Sequence, residues 1–309
     1  MGFLGIDTSN YTTSFAYFDG GSITQVKKLL PVKEGEKGIR QSDAVFHHTK
    51  AYPELLAELV SRDGHNIDAV GVSVTPTTQE GSYMPCFLVG EGVGVAVSQC
   101  LGVPLFRFSH QQGHIVAALY SAGKTDLLKE KFLAFHVSGG TTDLVLCEPD
   151  ENVILKTTTL SSSSDLKAGQ AIDRIGVKMG LSFPAGAQLE ELALKSEKQF
   201  KNKIKLADGR CSLSGIQNKC EKKLSEGESN EDVAKFLLSY IGDTVIAMTN
   251  YALGKLGDIP VVYAGGVMSN SIIRENITKQ FSNAFFAEPQ YSCDNAAGVA
   301  YLAYQSLKR

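Results

Sequence analysis

A repeated grammar constrains this chain more than any other feature. GIDTSNYTTSFAYFDG near the N-terminus and FHVSGGTTDLVLCEPD about half a chain later follow one plan. An apolar strand enters a turn of small residues, a Thr-Thr pair follows, and a second apolar strand runs to an acidic turn. Two such units require a sheet in each half of the chain, covered by the helices between them, so the repeat points to a duplicated α/β protein. The segments between agree. HTKAYPELLAELVSRDG reads as an amphipathic helix with Leu55, Leu56 and Leu59 on one side. IDAVGVSV reads as a buried strand, FLVGEGVGVAVSQCLG as a helix whose glycines admit a close neighbour, and VPLFRFSH as a strand running into a loop. After the second unit come the helices DLKAGQAIDRIGVKMG, AQLEELALKS and EDVAKFLLSYIGDTVIAMTNYALGKLG. IPVVYAGGVMSN is then a strand, a glycine turn and a helix N-cap at Ser269 or Asn270, and DNAAGVAYLAYQSLKR is the last helix.

Composition excludes several classes. With 43% hydrophobic residues among 309, the chain can build a sizeable core and is not disordered. A net charge of −3 excludes a generally basic nucleic-acid binder, though not a local basic patch. The longest uncharged apolar stretch, Gly92 to Phe106, falls short of the ~20 residues of a membrane span. The N-terminus has neither a basic region nor a long apolar core, so no secretory signal is expected. Cys86, Cys100, Cys147, Cys211, Cys220 and Cys293 are scattered without a CxxC pair, which points to a reduced, cytoplasmic protein rather than a zinc knuckle or disulfide scaffold. Lys195 to Lys205 holds five lysines against Glu197. A solvated face is the first expectation there, and contact with an RNA backbone the alternative.

Several residues stand out chemically. His110 and His114 in SHQQGH share one face if the segment is helical, as a metal pair requires. His47, His48 and His65 read as structural. His136 stands where strand alternation favours an apolar residue, so it is either a hydrogen-bonded buried histidine or it points into a site. Asp294 precedes the last helix, as a cap or as an oxygen ligand, and Cys293 beside it reads as a packed thiol. Ser138-Gly139-Gly140-Thr141-Thr142 is a candidate phosphate loop, because small residues let backbone amides approach an anion. Thr8-Ser9 and Thr12-Thr13-Ser14 form a matching first loop, and Ala264-Gly265-Gly266-Val267 a later glycine turn. Neither a Walker lysine motif nor a Rossmann GxGxxG is present, and no zincin or Ser-His pattern supports a peptidase.

The ordered set SHQQGH, HVSGGTTDL, AGQAIDRIGVKMGL with FPAG, AGGVMSN and CDNAAG resembles the TsaD family over nearly the whole chain. That family makes N6-threonylcarbamoyladenosine in tRNA, and an older label calls it O-sialoglycoprotein endopeptidase or glycoprotease. The resemblance implies the duplicated actin/Hsp70-like (ASKHA) ATPase fold, two lobes with the site in the cleft. The expected division is an N-terminal lobe over 1–109 with a returning C-terminal helix over 295–309, and a C-terminal lobe over 110–294. It implies a divalent metal, iron or zinc, held by His110, His114 and Asp294, with His136 in a place where some members have a tyrosine ligand. It implies an adenine nucleotide (ATP, AMP or threonylcarbamoyl-AMP) contacted by Ser138, Gly139, Gly140, Asp173, Gly186, Glu190 and Asn270. The implied catalytic set is His110, His114 and Asp294. The implied partners are tRNA, a smaller TsaD-like paralogue docking on N-terminal-lobe helices such as HTKAYPELLAELV and FLVGEGVGVAVSQCLG, and a P-loop ATPase, with no membrane.

Four departures mark a divergent paralogue. TSNYTT stands where many members have TSCDET, TPTTQEGSYMP where many have GPG, Thr141 where many have SGGHT or SGGNT, and CSLSGIQN in place of FSFSGLKT. The expected function is metal-dependent transfer of the threonylcarbamoyl group from threonylcarbamoyl-AMP to the N6 of a tRNA adenosine. The alternatives are a carbamoyltransferase on another acceptor and a non-catalytic nucleotide-binding scaffold of the modification complex.

Overall fold

The first repeat folds as read. β1 (Phe3–Ser9) is buried over nearly its whole length and lies at the centre of a sheet. It pairs antiparallel with β2 (Thr12–Phe18), which pairs antiparallel with β3 (Ile23–Leu29). On its other side β1 pairs parallel with β4 (Ala69–Thr75), and β4 with β5 (Leu105–Ser109), giving the order β3-β2-β1-β4-β5. The computed structural model describes residues 1–9, 11–31, 39–63, 66–288, 291 and 296–309.

The second repeat reproduces this topology. β6 (Phe132–Val137) pairs antiparallel with β7 (Thr142–Asp150), which neighbours β8 (Ile154–Ser162). β9 (Val261–Ala264) runs parallel to β6, and β10 (Ala284–Phe286) parallel to β9. The order β8-β7-β6-β9-β10 matches the first sheet strand for strand. Duplication is therefore a property of the topology as well as of the motif.

The chain forms two compact units. The first comprises Met1–Leu128, Pro149–Lys156 and Cys293–Arg309; the second comprises Lys129–Glu148 and Thr157–Ser292. The boundary expected after residue 109 lies instead after Leu128. The reason is α3 (His110–Ser121), which crosses α9 (Ala296–Lys308) so closely that a Cβ on Gly298 would lie 1.9 Å from the Gly113 carbonyl. Only glycine permits that approach. Gln112 Nε2 also donates to the Leu155 carbonyl at 2.7 Å, which brings the tip between β7 and β8 into the first unit.

In the first unit, α1 (Gln41–Asp63) buries Ala51, Leu55 and Leu59 on the sheet with Leu4, Phe15 and Val70, while α2 (Phe87–Leu101) packs on β1 and β4. In the second, the 27-residue α7 (Asn230–Leu256) lies among α4 (Ala168–Lys178), α5 (Gly186–Leu194), α6 (Ser214–Ser225) and α8 (Ser271–Gln280). Tyr263 of β9 stacks between Phe135 and Phe286 at centroid distances of 5.3 and 5.0 Å, and its buried hydroxyl bonds to Thr249 at 3.0 Å. No helix among the described residues is long and apolar enough to cross a membrane.

Candidate functional site

In the first unit the site begins with a helix cap. Ser109 ends β5 in extended conformation, its hydroxyl accepts from the Gln112 amide, and the Gln112 side chain accepts from the Ser109 amide at 2.7 Å. This capping box starts α3 at His110 and puts His114 one turn on, on the same face. The two imidazoles meet edge to face at 4.6 Å. The helical condition attached to the HxxxH reading is therefore met.

Asp7 of β1 completes this arrangement, and the motif reading missed it. Its Oδ2 lies 2.9 Å from His110 Nδ1 although 103 residues separate the two in sequence. Asp7 is fully buried, which opposes its charge. Electrostatic attraction and a hydrogen bond from His110, with the Ser9 amide at 3.0 Å on Oδ1, outweigh that penalty and hold the carboxyl below its usual range. A carboxylate on Nδ1 orients the His110 ring and leaves Nε2 as the nitrogen that would take a metal. A carboxylate inside an otherwise apolar strand was the signal available in FLGIDTS, since a fully buried Asp is rare unless paired.

Three of the five hydroxyls expected of a first phosphate loop are buried, while Ser9 and Thr12 stay half-exposed. Ser9 and Thr12 are register partners. Thr8 is buried, donates to the Cys86 carbonyl and accepts from the Gly90 amide. Thr13 is buried against His48 Nδ1 at 2.7 Å, and Ser14 is buried. Thr8 and Thr13 are register partners on the face that α1 and α2 cover, and Ser14, opposite Asp7, is buried on the other face of the sheet. His48 is wholly buried, and burial pushes its pKa down to about 4, against the opposing effects of the Ser9 backbone and Asp7.

The second unit carries the larger part of the expected set. Val137 and Thr142 are register partners, leaving Ser138–Thr141 as the turn. Ser138 Oγ accepts from the Gly140 and Thr141 amides at 3.2 Å each and bonds to Thr141 Oγ1 at 2.8 Å. Thr141 Oγ1 lies 3.2 Å from His136 Nδ1, and His136 sits opposite Asp143 on β7. Burial raises the carboxyl of Asp143, with Lys167 opposing. The N-terminus of α4 closes on this turn. Gly169 donates to the Ser138 carbonyl, and a Cβ on Gly169 would lie 2.6 Å from the Gly139 nitrogen. No atom comes within 4 Å of a Cβ on Gly139 or Gly140, so that side of the turn is open to a ligand.

The remaining expected contacts form one connected chain of elements. Asp173 stands one turn along α4 from Gly169, and its Oδ1 accepts from the Ala185 amide at 2.9 Å, holding the residue before Gly186 at the start of α5. Glu190, one turn into α5, accepts through Oε1 from the Ser271 amide and hydroxyl at 2.7 and 2.5 Å. Asn270 caps α8 through the Ile273 amide. Asp173 and Glu190 thus each use one carboxylate oxygen structurally. Sequence reasoning also passed over Asp165. Its oxygens accept from the Ser212 and Ser214 hydroxyls at 2.6 Å each and from the Leu213 and Leu166 amides. These bonds drive its pKa far below the usual range in spite of the opposing burial, and they clamp the start of α6 to the turn before α4.

The structure therefore brings His110 and His114 together in the first unit, and gathers Ser138, Gly139, Gly140, Asp173, Gly186, Glu190, Asn270 and His136 around α4 and its neighbours in the second. Asp294, Cys293 and His65 lie outside the described residues. Among the described residues no group of three or more His, Cys, Asp or Glu is arranged to hold a metal. The donor chemistry of the His110–His114 pair, backed by Asp7, fits part of such a site. Among the described residues Cys86, Cys100, Cys147, Cys211 and Cys220 are free thiols.

Known proteins match this chain from end to end. The family model TsaD: tRNA N6-adenosine threonylcarbamoyltransferase matches residues 23–301. The tRNA N6-adenosine threonylcarbamoyltransferase of Thermotoga neapolitana is 29% identical over 322 residues, covering 100% of this chain and 95% of that protein. The protein of the same description from a Sulfurihydrogenibium species is 28% identical over 316 residues, 99% and 90% of the two chains. Among solved structures, component A of the (R)-2-hydroxyglutaryl-CoA dehydratase of Acidaminococcus fermentans superposes with a TM-score of 0.58 at 16% identity over 100% of both chains. HypF of T. kodakarensis gives 0.65 at 13% identity over 99% of this chain and 48% of that longer one. With the duplicated sheets, these likenesses establish the actin/Hsp70-like ATPase fold.

Proposed function

Because the chain belongs to the TsaD family, we propose that it transfers a threonylcarbamoyl group from threonylcarbamoyl-AMP to the N6 amine of a tRNA adenosine. The observation that carries this reading is the Asp7–His110–His114 arrangement at the start of α3, a histidine pair on one helix face with a carboxylate on His110 Nδ1, which supports a metal site there.

In this reading His110 and His114 would hold a divalent iron or zinc ion through one face of α3. When bound, such an ion supplies Lewis-acid polarisation of a carbonyl. The adenylate binds to the second unit. Its ribose hydroxyls donate to the unused oxygens of Asp173 and Glu190, and Gly186 and Asn270 border it. Its phosphate competes with the Ser138 hydroxyl for the Gly140 and Thr141 amides, which supports Ser138, Gly139 and Gly140 as the phosphate loop. The same amides then stabilise negative charge that develops when the tRNA amine attacks and AMP departs. An adenine in a tRNA loop is unpaired, so no duplex has to open. The smaller TsaD-like paralogue docks on α1 and α2, where Phe46, Val60 and Leu88 are exposed, and a P-loop ATPase joins the complex.

The inward-facing hydroxyls of the first hairpin favour a second reading, a nucleotide-binding scaffold without transfer. Metal content and AMP binding, measured together on wild type and His110→Ala, separate the two. Stoichiometric iron or zinc that disappears in the variant while AMP still binds, followed by transfer to tRNA with the partners present, is the expected result. A wild type that stays metal-free after reconstitution while binding AMP refutes the transferase and leaves the scaffold.

A further inference from the structure

The lysine run divides in the folded chain. Lys198 is neutralised by Asp232 at 2.8 Å and Glu228 at 4.0 Å. From Lys201 to Leu206 burial alternates with period two: Lys201, Lys203 and Lys205 are exposed, while Asn202, Ile204 and Leu206 are half-buried. Such alternation belongs to an extended backbone and spaces the three ammonium groups about 7 Å apart on one side. Asn202 pins the segment to α7 by donating through its amide and side chain to Asp243 Oδ2, both at 3.0 Å. Leu206 packs on the core of the second unit. A tight turn, with Ala207 and Arg210 bonded to each other, adds an exposed Arg210. Among the described residues none of Lys201, Lys203, Lys205 and Arg210 makes an ion pair. Asp208 is the one carboxylate in the stretch.

We propose that this ridge, Lys201–Lys203–Lys205–Arg210, is a docking surface for the sugar-phosphate backbone of the tRNA; the proposal rests on the tRNA reading above. A line of evenly spaced, unpaired cations on a pinned backbone tracks a polyanion. It has no aromatic or aliphatic anchor of the kind that holds the centre of a protein interface: the other exposed side chains are Ala207 and Asp208. The Arg210 end of the ridge is tied by backbone hydrogen bonds to the strand that leaves the candidate phosphate loop. The residue after Arg210, Cys211, accepts from the Ser164 amide and hydroxyl, and the neighbouring Ser163 amide donates to the Thr142 carbonyl. Two steps of hydrogen bonding therefore join the Arg210 end of the ridge to Thr142, the residue after the Ser138–Thr141 turn. Lysines used in this way position a substrate without reading its sequence.

The test uses the full chain, a labelled tRNA transcript and anisotropy titrations over about 50 to 200 mM salt. Replacing Lys201, Lys203 and Lys205 together by Gln should cut affinity at least about tenfold and reduce the slope of log K against log salt by about 2 to 3. Lys198→Gln, whose charge is already paired, should leave the slope unchanged, and both variants should melt like wild type. Wild-type binding with an unaltered slope in the triple variant overturns the ridge and leaves the tRNA reading standing. A wild type that fails to bind tRNA at any salt overturns both. Equal binding of polyglutamate, lost in the triple variant, reassigns the ridge to an acidic protein and overturns the RNA assignment.

Discussion

Gly169→Ala tests whether the phosphate loop owes its shape to α4. The added Cβ would stand 2.6 Å from the Gly139 nitrogen, 2.7 Å from its Cα and 2.8 Å from the Ser138 carbonyl carbon, all backbone atoms. Ordinary contact begins at 3.4 Å, so the turn or the helix has to move by about 0.8 Å. Overpacking of this kind costs about 1–3 kcal/mol of stability. The same displacement breaks the hydrogen bond from the Gly169 amide to the Ser138 carbonyl and misaligns the Gly140 and Thr141 amides. A loss of about 1.4 kcal/mol in those contacts weakens AMP binding about tenfold. The assay pairs urea unfolding with calorimetric AMP titration, and Gly140→Ala is the control. A Cβ at Gly140 meets nothing in the protein but points into the open side of the turn. It should lower AMP affinity with little change in stability, whereas Gly169→Ala lowers both. A Gly169→Ala protein that unfolds and binds AMP as wild type does would refute the argument that this contact shapes the loop.

Two further outcomes follow from the first unit. Asp7→Asn keeps the size of the side chain but removes the charge that orients His110, and should weaken binding of zinc about 10- to 100-fold in a competition titration; unchanged zinc affinity would show that His110 needs no orienting carboxylate. His48 takes up a proton below about pH 6.5 in the unfolded chain but only below about 4 in the folded one, because burial disfavours the charged ring. The unfolded state therefore binds more protons within that window. Stability is full above about pH 6.5 and falls towards pH 4 by about 3 kcal/mol. His48→Gln should flatten this part of the pH profile in urea unfolding, and identical profiles would exclude His48 as its source.

Much of the fold was legible because local periodicity carries it. The strands of both repeats, the HxxxH helix and the cap at Asn270 follow from alternation, helical spacing and capping chemistry among near neighbours. The elements that no pattern announced lie at the edges. In β3 only Val26 is buried, β8 reads ILKTTTLSS, and the lysine-rich α6 buries only Ile216 and Cys220. Edge elements carry little apolar signal because one side meets water. The candidate site divides in the same way. The sequence by itself determined that His110 and His114 share a helix face and that Ser138–Thr141 form a turn, since each motif is contiguous. Tertiary structure alone decided that Asp7 backs His110, that Thr8 and Thr13 are consumed in packing, and that Asp165 clamps α6 to α4. It also decided which lysines of one run are paired and which stand free of ion pairs. These outcomes depend on which strands become neighbours and how closely helices approach, and residues tens to a hundred positions apart settle that by packing, which no local pattern records.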